Sequence, residues 1–328
     1  MNMHIQQTAR RLILPAALLL IFSVINHDFL APGNIYALMQ SFALLGLVTL
    51  GISLTMIAGE FDLSVGAVSA VAGLVLVKTG ESHPVAGIVL TLLAGAAIGL
   101  ANGALIRTLR VSSLVTTLGM MILLNGAAVW LEGGQVLAYN NFDEADLLDR
   151  AFAGIFSLRS LTTLVCFMLA TFMLSFTRLG RDIRAVGSNR KAAEMAGSNV
   201  TFALYAAFTL SGILAAMTGT LTSISLSTAS SRFGTDLVLQ AATAAIVGGV
   251  TLSGGAGSPV SIACGVITLT ILNNGLSLLG IPSATILLLN GALLFIVLIS
   301  DGRRRRCQNF RVQGGSRVTR MLERIDPP

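Results

Sequence analysis

Apolar residues dominate ten stretches of the chain, near 12 to 29, 37 to 58, 64 to 79, 85 to 106, 112 to 131, 158 to 177, 200 to 224, 236 to 251, 258 to 279 and 282 to 300. Runs of about 18 to 25 apolar residues cross a hydrocarbon core of about 30 Å as helices. The pattern predicts an all-α polytopic membrane protein of about ten transmembrane helices, one domain over residues 1–328 with its membrane region at 12–300. Arg10 and Arg11 ahead of the first run resemble the start of a signal peptide. No small-x-small cleavage site follows in the stretch from Asn26 to Leu30, so the run is taken as a span. In the fourth run Gly95, Gly99 and Gly103 clear one helix stripe of side chains and let another backbone approach closely, which predicts a buried packing helix.

Composition agrees with this pattern. Only 11% of residues are charged, against about 25% in an average soluble domain, and 54% are hydrophobic. A net charge of +6 would point to nucleic acid in a soluble chain, but here its placement follows topology. With both termini inside, 17 of the 21 Lys and Arg residues fall in inner segments, including Arg107, Arg110, the stretch from Arg178 to Lys191 and the tail over residues 301–328. That bias sets the orientation by the positive-inside rule, with Lys78, Arg150, Arg159 and Arg232 as exceptions. Cys166, Cys264 and Cys307 have neither zinc-site nor disulfide spacing, and His4, His27 and His83 are scattered, so no metal site and no catalytic chemistry are expected.

Two breaks interrupt the apolar pattern. In the stretch from Gly59 to Gly66 the carboxylates of Glu60 and Asp62 lie between apolar runs, where exposure of each to lipid would cost about 2.5–3.5 kcal/mol. Gly59 is suited to end the second span, and Asp62 to cap the third by accepting from the N–H of Ser64 or Val65. Asp62 is either this cap alone or part of a pathway wall or inner gate, since irregular backbone at membrane depth marks such places. The second break contains Gly248, Gly249, Ser253, Gly254, Gly255 and Gly257, after which Ser258 as N-cap and Pro259 at the first helical position restart a helix. No Gly-Lys-Ser or Gly-Lys-Thr ending follows, so this is not a nucleotide-binding loop of the P-loop type.

Between the sixth and seventh spans lies a basic loop at 178–199. Ser188 or Asn189 caps a short helix there, formed by Lys191 to Ala196 and stopped by Gly197. Its small apolar face of Ala192, Ala193, Met195 and Ala196 suits a groove on a partner. Arg190 and Lys191 stand at the wrong helix end for positive charge, which fits either a topogenic signal or an acidic partner surface.

At these three segments the chain resembles the inner-membrane permease subunits of ribose-type ABC importers, which carry monosaccharides and autoinducer-2. The resemblance rests on Gly59 to Gly66 as G-x-x-D-L-S-V-G, on Gly180 to Gly197 as G-R-x-x-x-A-x-G-x-N-x-x-A-A-x-x-x-G, and on Ile246 to Ser258 as the G-G-x-x-L-x-G-G-x-G-S turn. It implies that the loop with Gly180, Arg181, Arg184, Ala185, Gly187, Asn189, Ala192, Ala193, Glu194 and Gly197 is a coupling helix region docking into a cytoplasmic ATPase. It further implies that two permeases, identical or paired, enclose one pathway, that a periplasmic sugar-binding protein docks outside, and that ATP and magnesium bind the ATPase and not this chain. Glu60, Phe61, Ser188 and Arg190 depart from the residues common in such chains.

The acidic segment at 132–157, with Asp143, Glu144, Asp146 and Asp149, fits a short amphipathic helix on the outer membrane surface, either facing a basic rim of the binding protein or simply tolerated there. Asn125, Gln240 and Asn274 are candidates for the substrate path, alongside Asn102, Asn273 and Asn290; helix-to-helix hydrogen bonding is the competing role. Arg303 to Arg306 fit an inner anchor to anionic lipid. An ion-coupled secondary transporter or channel is the rival class, since it also uses broken helices and buried carboxylates.

Overall fold

The computed structural model describes residues 2–152, 154–297 and 299, with side chains from residue 11 onward. The basic tail and Cys307 lie outside the described residues. The chain begins with helix α1 (Asn2–Ile25), a short 3-10 turn (His27–Leu30), α2 (Pro32–Ile57), α3 (Val65–Gly80), α4 (Pro84–Leu109) and α5 (Ser113–Glu132). Strand β1 (Leu137–Ala138) and α6 (Phe142–Asp149) precede α7 (Leu158–Phe176), α8 (Arg178–Ser188) and α9 (Arg190–Met195). Then come α10 (Val200–Leu226), β2 (Thr228–Ala229), α11 (Leu237–Val247), α12 (Pro259–Leu278) and α13 (Ser283–Val297).

Six of these helices, α2, α4, α5, α7, α10 and α12, are long and apolar enough to cross a membrane; Arg11–Ile25 of α1, α3, α11 and α13 are shorter apolar helices. An apolar helix therefore stands at each of the ten expected runs, but not always at the expected length. The run at 236–251 yields in α11 a helix of 11 residues. At 1.5 Å per residue that is about 16 Å, roughly half of a hydrocarbon core. The first run ends early as well, because Asn26 accepts from the Asp28 N–H (2.9 Å) and turns the chain out of α1.

The core is built on α2, α3 and α10. Along α2 the run from Leu47 to Ile57 is buried on every side, whereas most of α4 and α5 faces outward with exposed Leu90, Leu93, Leu100, Ile122 and Leu123. Those outer faces have the composition of lipid-facing surface. Helices α4 and α10 pack backbone to backbone: a Cβ on Gly95 would lie 2.5 Å from the Gly212 carbonyl oxygen, and one on Gly99 would lie 2.2 Å from that of Phe208. The expected packing role of that glycine stripe is what the structure contains.

The helix ends sort into two groups. At one end of the bundle Arg11 donates to the Ser261 hydroxyl, Arg107 donates to Thr201 (2.9 Å), and α8, α9 and both helix breaks lie together. At the other end β1 pairs antiparallel with β2, Leu137 opposite Ala229, and α6 packs on α7 and α10. There Tyr139 is buried and donates to Glu144; burial first and that carboxylate second hold its phenol above the ordinary tyrosine range. Arg159, an exception to the charge bias, is buried in this region against Asp149 (3.1 Å) and the Gln40 Oε1 (2.8 Å).

Candidate functional site

Helix α2 ends in a paired motif: the Gly59 N–H donates to the Met56 carbonyl (3.0 Å) and the Glu60 N–H to that of Thr55 (2.9 Å). This is a Schellman ending, with Gly59 at φ +81° supplying the left-handed residue it requires. Beyond it the backbone of the break is satisfied by hydroxyls of α5. The Phe61 N–H donates to Ser113 (3.2 Å) and the Leu63 N–H to Thr117 (3.1 Å). These bonds to α5 satisfy two amides of the extended segment inside the protein, where water is not at hand to do so.

Asp62 is 1% exposed and accepts from the Ser64 N–H (3.0 Å), the Ser64 hydroxyl (2.6 Å) and the Ser211 hydroxyl of α10 (3.0 Å). Asn102 of α4 in turn donates to the Ser64 hydroxyl (2.9 Å). One carboxylate thus ties the break to α4 and α10, besides turning the chain into α3. Gly66, the second residue of α3, lies against the Gly234 backbone, where a Cβ would come within 2.2 Å of the carbonyl oxygen.

The second break repeats the first. Helix α11 closes with the Gly249 N–H on the Ile246 carbonyl (2.8 Å) and the Val250 N–H on that of Ala245 (2.9 Å). Ser258 then accepts from the Ser261 N–H (3.3 Å), and Pro259 opens α12. Between them Ser253 lies in the turn, while Gly254 and Gly255 lie against the other two segments.

The basic loop holds two helices where one short helix was expected. Residues 178–188 form α8, capped by Thr177, whose hydroxyl accepts from the Gly180 N–H (3.2 Å). Gly180, Ile183, Val186 and Gly187 make its buried face, while Arg181 is exposed and Arg184 and Ala185 are half-buried. Gly180 and Gly187 read as breaks in the sequence because glycine is the poorest ordinary helix former; here both are demanded by contact with other backbone. The signal available for α8 was the spacing of small and apolar residues at 180, 183 and 186–187 among arginines. Asn189 then caps α9 by accepting from the Ala192 N–H (3.1 Å), and Gly197 closes it. Ala193 is buried within the chain, so the face available to a partner is Ala192, Met195 and Ala196, without the expected Ala193; Met195 is 84% exposed. Glu194 pairs with Arg107 at 3.8 Å.

All three segments meet. A Cβ on Gly187 would lie 1.9 Å from the Ile57 carbonyl oxygen and 2.7 Å from the Gly255 nitrogen; one on Gly254 would lie 2.6 Å from both the Gly187 oxygen and the Gly59 Cα. The Gly255 N–H donates to the Ile57 carbonyl (2.9 Å), the last of α2. Arg190 forms an ion pair with Glu60 across the same place, the carboxylate side chain being 11% exposed. The end of α2, the α8–α9 corner and the glycine turn before α12 are therefore one joint made mainly of backbone.

The proposed path residues divide. Gln240 and Asn274 line one cavity of about 660 Å³ between α2, α11, α12 and α13, together with Asn273 and Asn290. Asn274 also exchanges hydrogen bonds with Asn34 (2.8 and 3.0 Å). Asn125 is exposed on α5 and does not line this cavity; Asn102 belongs to the Asp62 cluster. Among the described residues, no group of His, Cys, Asp and Glu is arranged to hold a metal ion.

A bundle of long apolar helices, broken twice and jointed to a basic helix pair at one end, is a multi-pass membrane transport subunit. The chain belongs to the family described as the branched-chain amino acid transport system permease component, whose pattern matches residues 34–298. It is 30% identical over 303 residues to the ribose import permease protein of Escherichia coli, covering 90% of this chain and 94% of that protein. It is 32% identical to the L-arabinose ABC transporter permease protein of Azospirillum brasilense (85% and 82% covered). An autoinducer 2 import system permease protein of Enterobacter sp. is 33% identical (88% and 90% covered). No solved structure matches.

Proposed function

We propose that this chain is the membrane-spanning permease subunit of a binding-protein-dependent ABC importer that moves a monosaccharide or similar small polar solute across a bacterial inner membrane. Ten membrane segments with both termini inside, α11 reaching through only part of the thickness, suit the six long and four shorter apolar helices, and the end that gathers Arg11, Arg107, Arg178, Arg181 and Arg184 is the cytoplasmic one. The relatives named for ribose, arabinose and autoinducer 2 support the solute class over a branched-chain amino acid. A second permease, identical or paired, completes the pathway. The acidic outer segment meets a periplasmic sugar-binding protein, and membrane lipid surrounds the outer faces of α4 and α5. ATP and magnesium belong to a cytoplasmic ATPase.

The observation that carries the reading is the joint at Gly59, Gly187 and Gly255. The ATPase receives α9 through Ala192, Met195 and Ala196, and a displacement of α8–α9 reaches both helix breaks directly. Access then alternates between the two sides as the ATPase binds and hydrolyses ATP. Reconstitution with the ATPase and binding protein tests this: uptake stops on ATP depletion and survives collapse of ion gradients. Uptake that instead follows an ion gradient defeats the reading in favour of a secondary transporter. Met195→Glu lowers co-purification of the ATPase at least tenfold while the permease still inserts; retained co-purification refutes the docking face.

A further inference from the structure

Buried polar side-chain atoms without a partner occur at several places in the bundle, among them Thr49 and Ser53 of α2, Asn102 of α4 and Ser223 of α10. In the cavity between α2, α11, α12 and α13, three of them line one open space. On α12 Thr270, Asn273, Asn274 and Ser277 recur at helical spacing along the wall, and Asp236 with Gln240 of α11 and Asn290 of α13 face the same space. Thr270 and Asn290 are each 4% exposed, yet the Thr270 hydroxyl, the Asn273 Oδ1 and the Asn290 Oδ1 have no hydrogen-bond partner. Buried polar atoms in folded proteins are nearly always paired, and an exception asks for a missing partner. Three such atoms around one cavity, two on α12 and one on α13, ask for a partner with several hydroxyls.

We propose that this cavity is the chain's own contact site for the solute in transit, and that it takes a neutral polyol. The inference rests on the importer reading above and adds to it where the solute touches this subunit. The volume of about 660 Å³ lies within the usual range of small-molecule sites. Amide carbonyls and a threonine hydroxyl accept from sugar hydroxyls, and amide N–H groups donate to them. The Asp236 carboxylate adds an acceptor for two adjacent hydroxyls. None of the described residues lining the cavity is Lys or Arg, so the carboxylate of an amino acid would meet Asp236 without a countercharge. Ser277, Ser283 and Leu287 at its rim are exposed, so the site opens at the end of α12 and the start of α13, the periplasmic end in the proposed orientation.

Because these groups lack partners in the fold, apolar isosteres separate a solute role from a structural one. Thr270→Val, Asn273→Leu and Asn290→Leu are each assayed in the complete importer with a radiolabelled sugar that it carries, and each permease is melted in detergent. Uptake falls about tenfold per substitution, as for loss of one solute hydrogen bond in a dry site, while melting temperature stays level or rises. ATP hydrolysis and recovery of the ATPase with the permease remain at the unsubstituted level. Unchanged uptake in all three overturns the assignment, as does a fall in melting temperature that accompanies each loss of uptake. The unsubstituted importer is first screened with a panel of radiolabelled pentoses and hexoses, the variants are compared on the sugar it carries, and failure to carry any of the panel defeats the monosaccharide reading itself before any variant is compared.

Discussion

Gly187→Ala is the smallest change that attacks the joint. The added methyl carbon would lie 1.9 Å from the Ile57 carbonyl oxygen, where ordinary contact begins at 3.4 Å, so a separation of roughly 1.5 Å must be opened. Both near neighbours are backbone, and neither can rotate away. The carbon also intrudes on the bond from the Gly255 N–H to the same Ile57 carbonyl. Overpacking of this kind costs about 1–3 kcal/mol, and a buried amide stripped of its acceptor about 1–3 kcal/mol more. If the fold resists, melting of the purified permease in detergent reports a loss of about 2–6 kcal/mol. If α8 swings outward instead, stability is kept but ATP-driven uptake in proteoliposomes falls at least tenfold and hydrolysis no longer tracks solute. Gly119→Ala is the control, since nothing lies within 4 Å of its added carbon and alanine favours a helix. Gly187→Ala with unaltered melting, uptake and coupling would refute the joint as drawn.

Other outcomes follow from the same geometry. Arg190→Glu sets two carboxylates against each other beside the joint and lowers coupled uptake several-fold; adding Glu60→Arg restores most of it, and a double-mutant cycle on melting returns a coupling of about 1 kcal/mol. Additive losses would show that the pair contributes nothing. Asp62→Ala strands the Ser64 N–H and the Ser211 hydroxyl and destabilises the permease by about 2–4 kcal/mol, whereas Asp62→Asn keeps part of the network and loses less. Equal melting of Asp62→Ala and the unsubstituted chain would sink the role of this carboxylate as a tie between α3 and α10. Gly99→Leu, facing the Phe208 carbonyl oxygen at 2.2 Å, prevents α4 from packing on α10 and abolishes recovery of folded protein; normal yield would count against backbone packing there.

The sequence disclosed where the helices break, because glycine and aspartate within apolar runs leave few alternatives: Gly59, Gly249 and Ser258 cap as their types predict, and Asp62 accepts from the Ser64 N–H as expected, although Ser64 itself is the N-cap of α3. It was silent on where those breaks go. That Gly59, Gly187 and Gly255 touch is a long-range fact, and a glycine at a contact looks the same in one dimension as a glycine in a loop, which is why α8 was missed. Exposure of Asn125 depends on which face of α5 meets a neighbour, and a helix apolar on all sides carries no periodic signal to say so; α9, with Ala193, is too short at six residues to carry one. The two departures at Glu60 and Arg190 looked unrelated at 130 residues apart and prove to be each other's partners.

A joint of bare backbone has a mechanical consequence. Side chains between moving parts act as cushions, because each rotamer change absorbs part of a displacement before the next element feels it. Where Gly187 lies directly on the Ile57 carbonyl there is no such compliance, and a shift of α8 is handed to α2 and to the turn before α12 undiminished. The transporter would then have little play between its drive and its gate, and its tolerance to mutation should be lowest where it has the fewest atoms.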